Sequence, residues 1–216
     1  MSSSLTFRFM DYITIKGNAT AEITEKKSEF IGSLTHVETE EEAIAHIERI
    51  KAENRKARHN VYAYLLRRGN MSRYSDDGEP QGTAGQPVLE VLKGRKLTDC
   101  CLVVTRYFGG ILLGTGGLVR AYSGTASLTC DSAEIVQMCE CVGMNFSCDY
   151  SLYGIIQGLL SEPYVKLISA DFEDNVRIRL QCRTGYAKEF SERLTDLSNG
   201  RITAVTGGTS YTDFSC

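Results

Sequence analysis

The densest chemistry in the chain lies in Arg106-Tyr107-Phe108-Gly109-Gly110-Ile111-Leu112-Leu113-Gly114-Thr115-Gly116-Gly117-Leu118-Val119-Arg120-Ala121-Tyr122. Five glycines, Gly109, Gly110, Gly114, Gly116 and Gly117, separate an apolar run from an amphipathic one. Glycine admits positive φ and lets a ligand come close to the main chain. Where such a cluster opens a helix, free N–H groups and the positive end of the helix dipole make an anion site. Arg106 and Arg120 bracket the cluster and can add forked hydrogen bonds to phosphate or carboxylate. Tyr107, Phe108 and Tyr122 can stack on a nucleobase. No Lys-Ser/Thr follows the last glycine, so this is not a P-loop, and the GxGxxG spacing of a dinucleotide fingerprint is absent. The plain alternative is a tight strand-to-helix turn with packed aromatics.

A second segment, Ser75-Asp76-Asp77-Gly78-Glu79-Pro80-Gln81-Gly82-Thr83-Ala84-Gly85, gathers three carboxylates in one turn. Asp76, Asp77 and Glu79 can hold Mg²⁺ or Ca²⁺, or exchange protons as acid and base, which would suit a metal-dependent hydrolase or phosphate-handling enzyme. The twelve-residue calcium-loop pattern is absent. The alternative is a turn whose carboxylates satisfy neighbouring backbone N–H groups. His59, beside Arg55, Lys56 and Arg58, can titrate near neutral pH and meet a phosphate. Equally, that basic run can be the favourable C-terminal end of a helix. Lys27, next to Lys26, is either a phosphate contact or a solvated charge.

These residues need elements to position them. Ile13 and Ile15 alternate with polar residues, Gly17-Asn18 supplies a turn, and Ala19, Ala21 and Ile23 resume, which predicts an opening hairpin. An extended run follows at 29–37. Thr39-Glu40-Glu41-Glu42 has the form of a capping box, and Ala43, Ile44, Ile47 and Ile50 recur at helical spacing. Residues 61–66 read as a strand and 75–86 as a loop. A short helix is expected from about Pro87 to Gly94. The near-continuous apolar run 101–107 predicts a strand buried on both faces. Leu118, Val119, Tyr122 and Ala126 then mark a helix. Beyond a boundary near 132–139, Val142, Met144, Phe146, Cys148 and Tyr150 alternate, and Leu152, Ile155, Ile156, Leu159 and Leu160 switch to helical period until Pro163. With strands at 164–172, 176–182 and 202–211 and a helix through Phe190, Leu194 and Leu197, the order is β-α-β-β-α-β, the ferredoxin-like arrangement.

The composition is that of a globular chain, 42% hydrophobic and 24% charged over 216 residues, enough for one large or two small domains. A net charge of -3 is far from that of a dedicated duplex-DNA binder. The acidity lies after residue 139, with 7 Lys and Arg against 10 Asp and Glu, while the stretch before it is balanced at 17 each. A basic patch is therefore sought in the N-terminal part. The opening MSSSLTFRFMDY does not read as a secretory signal, and no apolar run approaches membrane-spanning length. The eight cysteines include no CxxC, so they read as core residues of a reducing, cytoplasmic compartment, without disulfides or structural zinc.

The ordered set of motifs resembles the YigZ/IMPACT family. The resemblance is carried by Lys27-Ser28-Glu29-Phe30-Ile31, by Ala57-Arg58-His59-Asn60-Val61-Tyr62-Ala63-Tyr64, by the acidic segment through Pro87, and most distinctively by the glycine-rich segment 106–122. It implies an α+β chain: an N-terminal domain (1–135) like the second domain of ribosomal protein S5, then a ferredoxin-like domain (136–216) similar to the last domain of elongation factor G. It also implies a place in translation, since the eukaryotic relatives regulate it. The family's pair of adjacent histidines is His59-Asn60 here. The expected function is a non-enzymatic, translation-associated regulator that needs no cofactor and binds RNA or a ribosome-associated partner. Lys27, His59, Arg106 and Arg120 would engage phosphates, the five glycines would allow close approach, and Tyr107 and Tyr122 would stack or pack.

Overall fold

The structure is a computed structural model and describes residues 11–214. Most of the opening segment that does not read as a secretory signal, and Cys216, lie outside the described residues. Two compact units divide the described residues: one is Ile13–Val136, and the other is formed by residues 137–214 with Asp11 and Tyr12.

In the first unit, β1 (Tyr12–Lys16) precedes β2 (Asn18–Glu25), β3 (Ser28–His36), α1 (Glu40–Glu53), β4 (His59–Leu66), β5 (Met71–Ser75), α2 (Gly85–Gly94), β6 (Cys100–Tyr107) and α3 (Thr115–Asp131). β2, β3, β6, β4 and β5 form one antiparallel sheet in that order. The expected β1–β2 hairpin is not formed. β2 pairs along its whole length with β3, and the turn between them is Lys26-Lys27, both at positive φ (45° and 66°). That two-residue geometry matches the strand twist.

β6 sits centrally, and every residue from Cys100 to Arg106 is buried. Its side chains alternate between two cores. Cys100, Leu102 and Val104 join Phe30, Val61, Val88, Leu92 and Leu118 under α2 and α3. Cys101 and Val103 join Ala43, Ile47 and Ile50 under α1. A strand sandwiched in this way has no polar face, which is why its sequence shows an unbroken apolar run. α1 starts where expected, with Thr39 Oγ1 accepting from Glu42 N at 3.2 Å.

The second unit contains β7 (Glu134–Cys148), α4 (Tyr150–Leu160), β8 (Val165–Phe172), β9 (Val176–Arg183), α5 (Ala187–Leu197) and β10 (Val205–Asp213). Its strands run antiparallel in the order β10-β7-β9-β8. This is the expected βαββαβ arrangement. Met144 and Phe146, Ile178 and Leu180, Leu152 and Ile156, and Phe190 and Leu194 face one core. The seven cysteines among the described residues are all free and buried.

Candidate functional site

Strand alternation selects the functional side chains. Arg106 lies opposite Phe30 on β3 and His59 on β4, so all three project to the α2/α3 side of the sheet. Asn60 projects to the other side, where its Oδ1 accepts from Thr105 Oγ1 at 2.8 Å. A second imidazole at position 60 would therefore point away from His59.

The loop between β5 and α2 brings Glu79 onto Arg106. Glu79 Oε1 accepts from Arg106 Nη1 at 2.6 Å and from the Tyr122 hydroxyl at 2.8 Å, and His59 Nε2 stands 3.9 Å away. The Arg106 and Glu79 side chains are 6% and 4% exposed, so the pair is buried. The Arg106 guanidinium lies over the Phe30 and Phe108 rings at 5.4 and 5.5 Å, and Tyr122 meets Phe30 edge-on. Burial, reinforced by the Glu79 charge, raises the Tyr122 phenol well above its ordinary pKa. His59 Nδ1 bonds the Asp77 carbonyl at 2.7 Å, which leaves Nε2 turned toward Glu79.

Burial decides the roles of two expected site residues. Arg106 is not a free phosphate ligand, because its charge is already met by Glu79 inside the protein. Tyr122 is fully buried and packs rather than stacks. Nor do the three carboxylates form a metal cage. Asp76 accepts from the backbone N–H groups of Gly82, Ala84 and Gly85, and so caps α2. Asp77 Oδ2 accepts from Asn60 N, and Glu79 holds Arg106. No group of three or more metal-ligating side chains occurs among the described residues.

Above this buried cluster is a hollow of about 360 Å³. Its polar wall is Arg58, His59, Glu79 and Arg106, and its apolar wall includes Phe108, Leu112, Leu113 and Leu118. Gly78 and Pro80 complete one edge, and Gly114 and Thr115, where α3 begins, the other. Gly114, at φ 72°, precedes that helix with no side-chain cap. The first intrahelical bond runs from Leu118 N to the Gly114 carbonyl. The N–H groups of Thr115, Gly116 and Gly117 thus form an uncapped helix start, the anion-attracting end of the dipole. Arg106 Nε is buried beneath the hollow without a hydrogen-bond partner.

The other expected residues lie around this hollow rather than in it. Arg120 is exposed, and its guanidinium folds back to within 3.7 Å of where a Cβ on Gly116 would stand. Lys27 is exposed in the β2–β3 turn. A Cβ on Gly109 would fall 2.0 Å from the Lys27 carbonyl, so only glycine lets the hairpin rest on the 108–114 loop. Gly110 lies in that loop. The Tyr107 hydroxyl donates to Asn54 Oδ1 at 2.8 Å, outside the hollow. Sequence reasoning missed Leu112, which is 82% exposed, and Ser28, whose Oγ accepts from Gly109 N. An apolar residue with no period inside a glycine loop was the available signal for Leu112.

Residues 26–130 match the Impact N-terminal domain, and residues 146–201 match a domain of unknown function, DUF1949. The chain is 40% identical over 201 residues to the IMPACT family member YvyE of Bacillus subtilis, spanning 93% of both proteins. It is 37% identical over 180 residues to the IMPACT family member YigZ of Escherichia coli, covering 82% of this chain and 88% of that one. A crystal structure described as that of an hypothetical protein, 34% identical, superposes with a TM-score of 0.59 over 90% of this chain and 96% of its own. Among the described residues no helix is long and apolar enough to cross a membrane.

Proposed function

The chain belongs to the IMPACT family, and from that premise we propose that it is a translation-associated regulatory protein that binds RNA on its N-terminal unit. The observation that supports this reading is the uncapped start of α3, which opens into a hollow that also presents Arg58. Exposed cations border the same end of β6. Lys26 and Lys27 stand on the hairpin that touches Gly109, with Glu25 and Glu29 as acidic neighbours. Arg55, Lys56 and Arg58 stand on the connection that reaches β6 through Tyr107–Asn54 and through Arg58 N to the Arg106 carbonyl. Such a local basic surround suits a phosphate backbone even though the whole chain is acidic.

A protein partner on the ribosome is the second reading. It is favoured by the exposed Phe108, Ile111 and Leu112 on one loop. The hydrolytic reading loses its support, because Asp76, Asp77 and Glu79 are each engaged in holding the fold.

Fluorescence anisotropy with a labelled RNA across a salt series tests the proposal. Arg58→Ala combined with Lys27→Ala is expected to weaken binding and to flatten the log K against log salt slope by roughly 0.7 for each phosphate that is no longer neutralised. Arg120→Ala is expected to act in the same direction, from its place over the first turn of α3. Unchanged affinity and slope in all of these variants would contradict the reading.

A further inference from the structure

We infer that the hollow seats one unstacked nucleotide of a single RNA strand, with its phosphodiester at the start of α3 and its base against Phe108 and Leu112. The inference rests on the RNA reading above and adds the form in which RNA is held.

Charge is the first argument. Arg58 and Arg106 stand against Glu79 in the wall, two guanidinium charges against one carboxylate, beside the helix dipole. That matches one phosphodiester, which carries a single negative charge. The helix start is not the only unsatisfied donor beside the hollow. Arg106, 5% exposed and lining the same hollow, keeps an Nε with no partner.

Shape and polarity are the second argument. A hollow of about 360 Å³ is at the small end of the range for ligand sites and is far too small for a duplex. Stacked bases in A-form RNA are inaccessible to such a site, whereas a splayed base exposes a flat face. Phe108 is 40% and Leu112 82% exposed, although both are apolar and both line the hollow. The Arg58 guanidinium, 5.9 Å from the Phe108 ring, is itself exposed and can follow a phosphate as a base takes its place.

The test uses the full chain and three labelled RNAs of equal length: a single strand, the same strand in a duplex, and an abasic strand of equal charge. The single strand is expected to bind at least about ten-fold tighter than either of the others. Leu112→Ser is expected to remove most of that margin while leaving the abasic strand's affinity and the melting temperature unchanged, since Leu112 is almost wholly solvent-exposed. Equal affinity for duplex or abasic RNA would overturn the inference while leaving RNA binding intact. Binding of none of the three, with a peptide ending in an apolar residue binding instead and losing affinity in Leu112→Ser, would overturn the RNA reading as well.

Discussion

Glu79 is the residue on which the site depends, and its importance comes from what surrounds it. It meets Arg106 at 2.6 Å and Tyr122 at 2.8 Å with almost no solvent contact. Removing one partner of such a pair strands the other charge inside the protein. Glu79→Gln is therefore expected to destabilise the chain by about 3–5 kcal/mol in urea unfolding, and a loss below about 1 kcal/mol would show that the pair is not buried in solution. The cysteines give a second residue-scale test. Burial pushes the Cys101 thiol up to about 12. A raised folded pKa means that the unfolded chain loses its proton first, so the contribution is intact below the ordinary value near 9 and is lost as pH climbs toward 12. Stability should fall across that window by about 1.4 kcal/mol per pH unit from this thiol. At pH 8, thiol reagents should leave the seven described cysteines unlabelled until denaturant is added. Sequence alone identified Arg106 and Tyr122 as chemically notable. It could not show that Glu79, far away in the chain, would neutralise the first and fix the second, because that depends on which strands lie side by side.

The β2–β3 hairpin shows how an element can be tuned against its own stability. Lys26 and Lys27 both adopt positive φ, where residues with a Cβ are disfavoured and Asn-Gly is preferred. Replacing them as Lys26→Asn with Lys27→Gly should raise stability by on the order of 1 kcal/mol while weakening RNA binding. Tighter RNA binding in that variant would contradict a role for these lysines. The hairpin also marks the limit of local reading. Gly17-Asn18 has good turn chemistry and Lys26-Lys27 has poor turn chemistry, yet only the second turn joins paired strands. β3 is also paired with β6, so the hairpin that forms is the one built into the sheet, through a long-range contact. β5 (Met71–Ser75) was invisible for a related reason. It is an edge strand without apolar alternation, formed because β4 offers it hydrogen bonds. α1 and β6 were legible because a capping box and an unbroken apolar run are local signals.

Across the whole molecule, the two units owe their legibility to different things. In the second unit β7 and β9 alternate with period 2 and α4 and α5 with period 3.6, since each of these has one face toward a single core. The unit's βαββαβ order could be written down from hydrophobic pattern alone. The Ile13–Val136 unit has a core on each side of its sheet, so its central strand shows no alternation and its strand order had no local signature. The hollow belongs to that second kind of information. β4, β6, the β5–α2 loop and α3 each supply part of it, and glycine spacing pointed only to its α3 edge. The central claim, that RNA is held at this hollow, is tested most directly by photo-crosslinking the native chain to 4-thiouridine-substituted single-stranded RNA and mapping the modified peptides. Crosslinks are expected on the peptide containing Phe108 and Leu112, and they should disappear with excess unlabelled RNA. Crosslinks confined to the second unit, or none at all, would contradict the account.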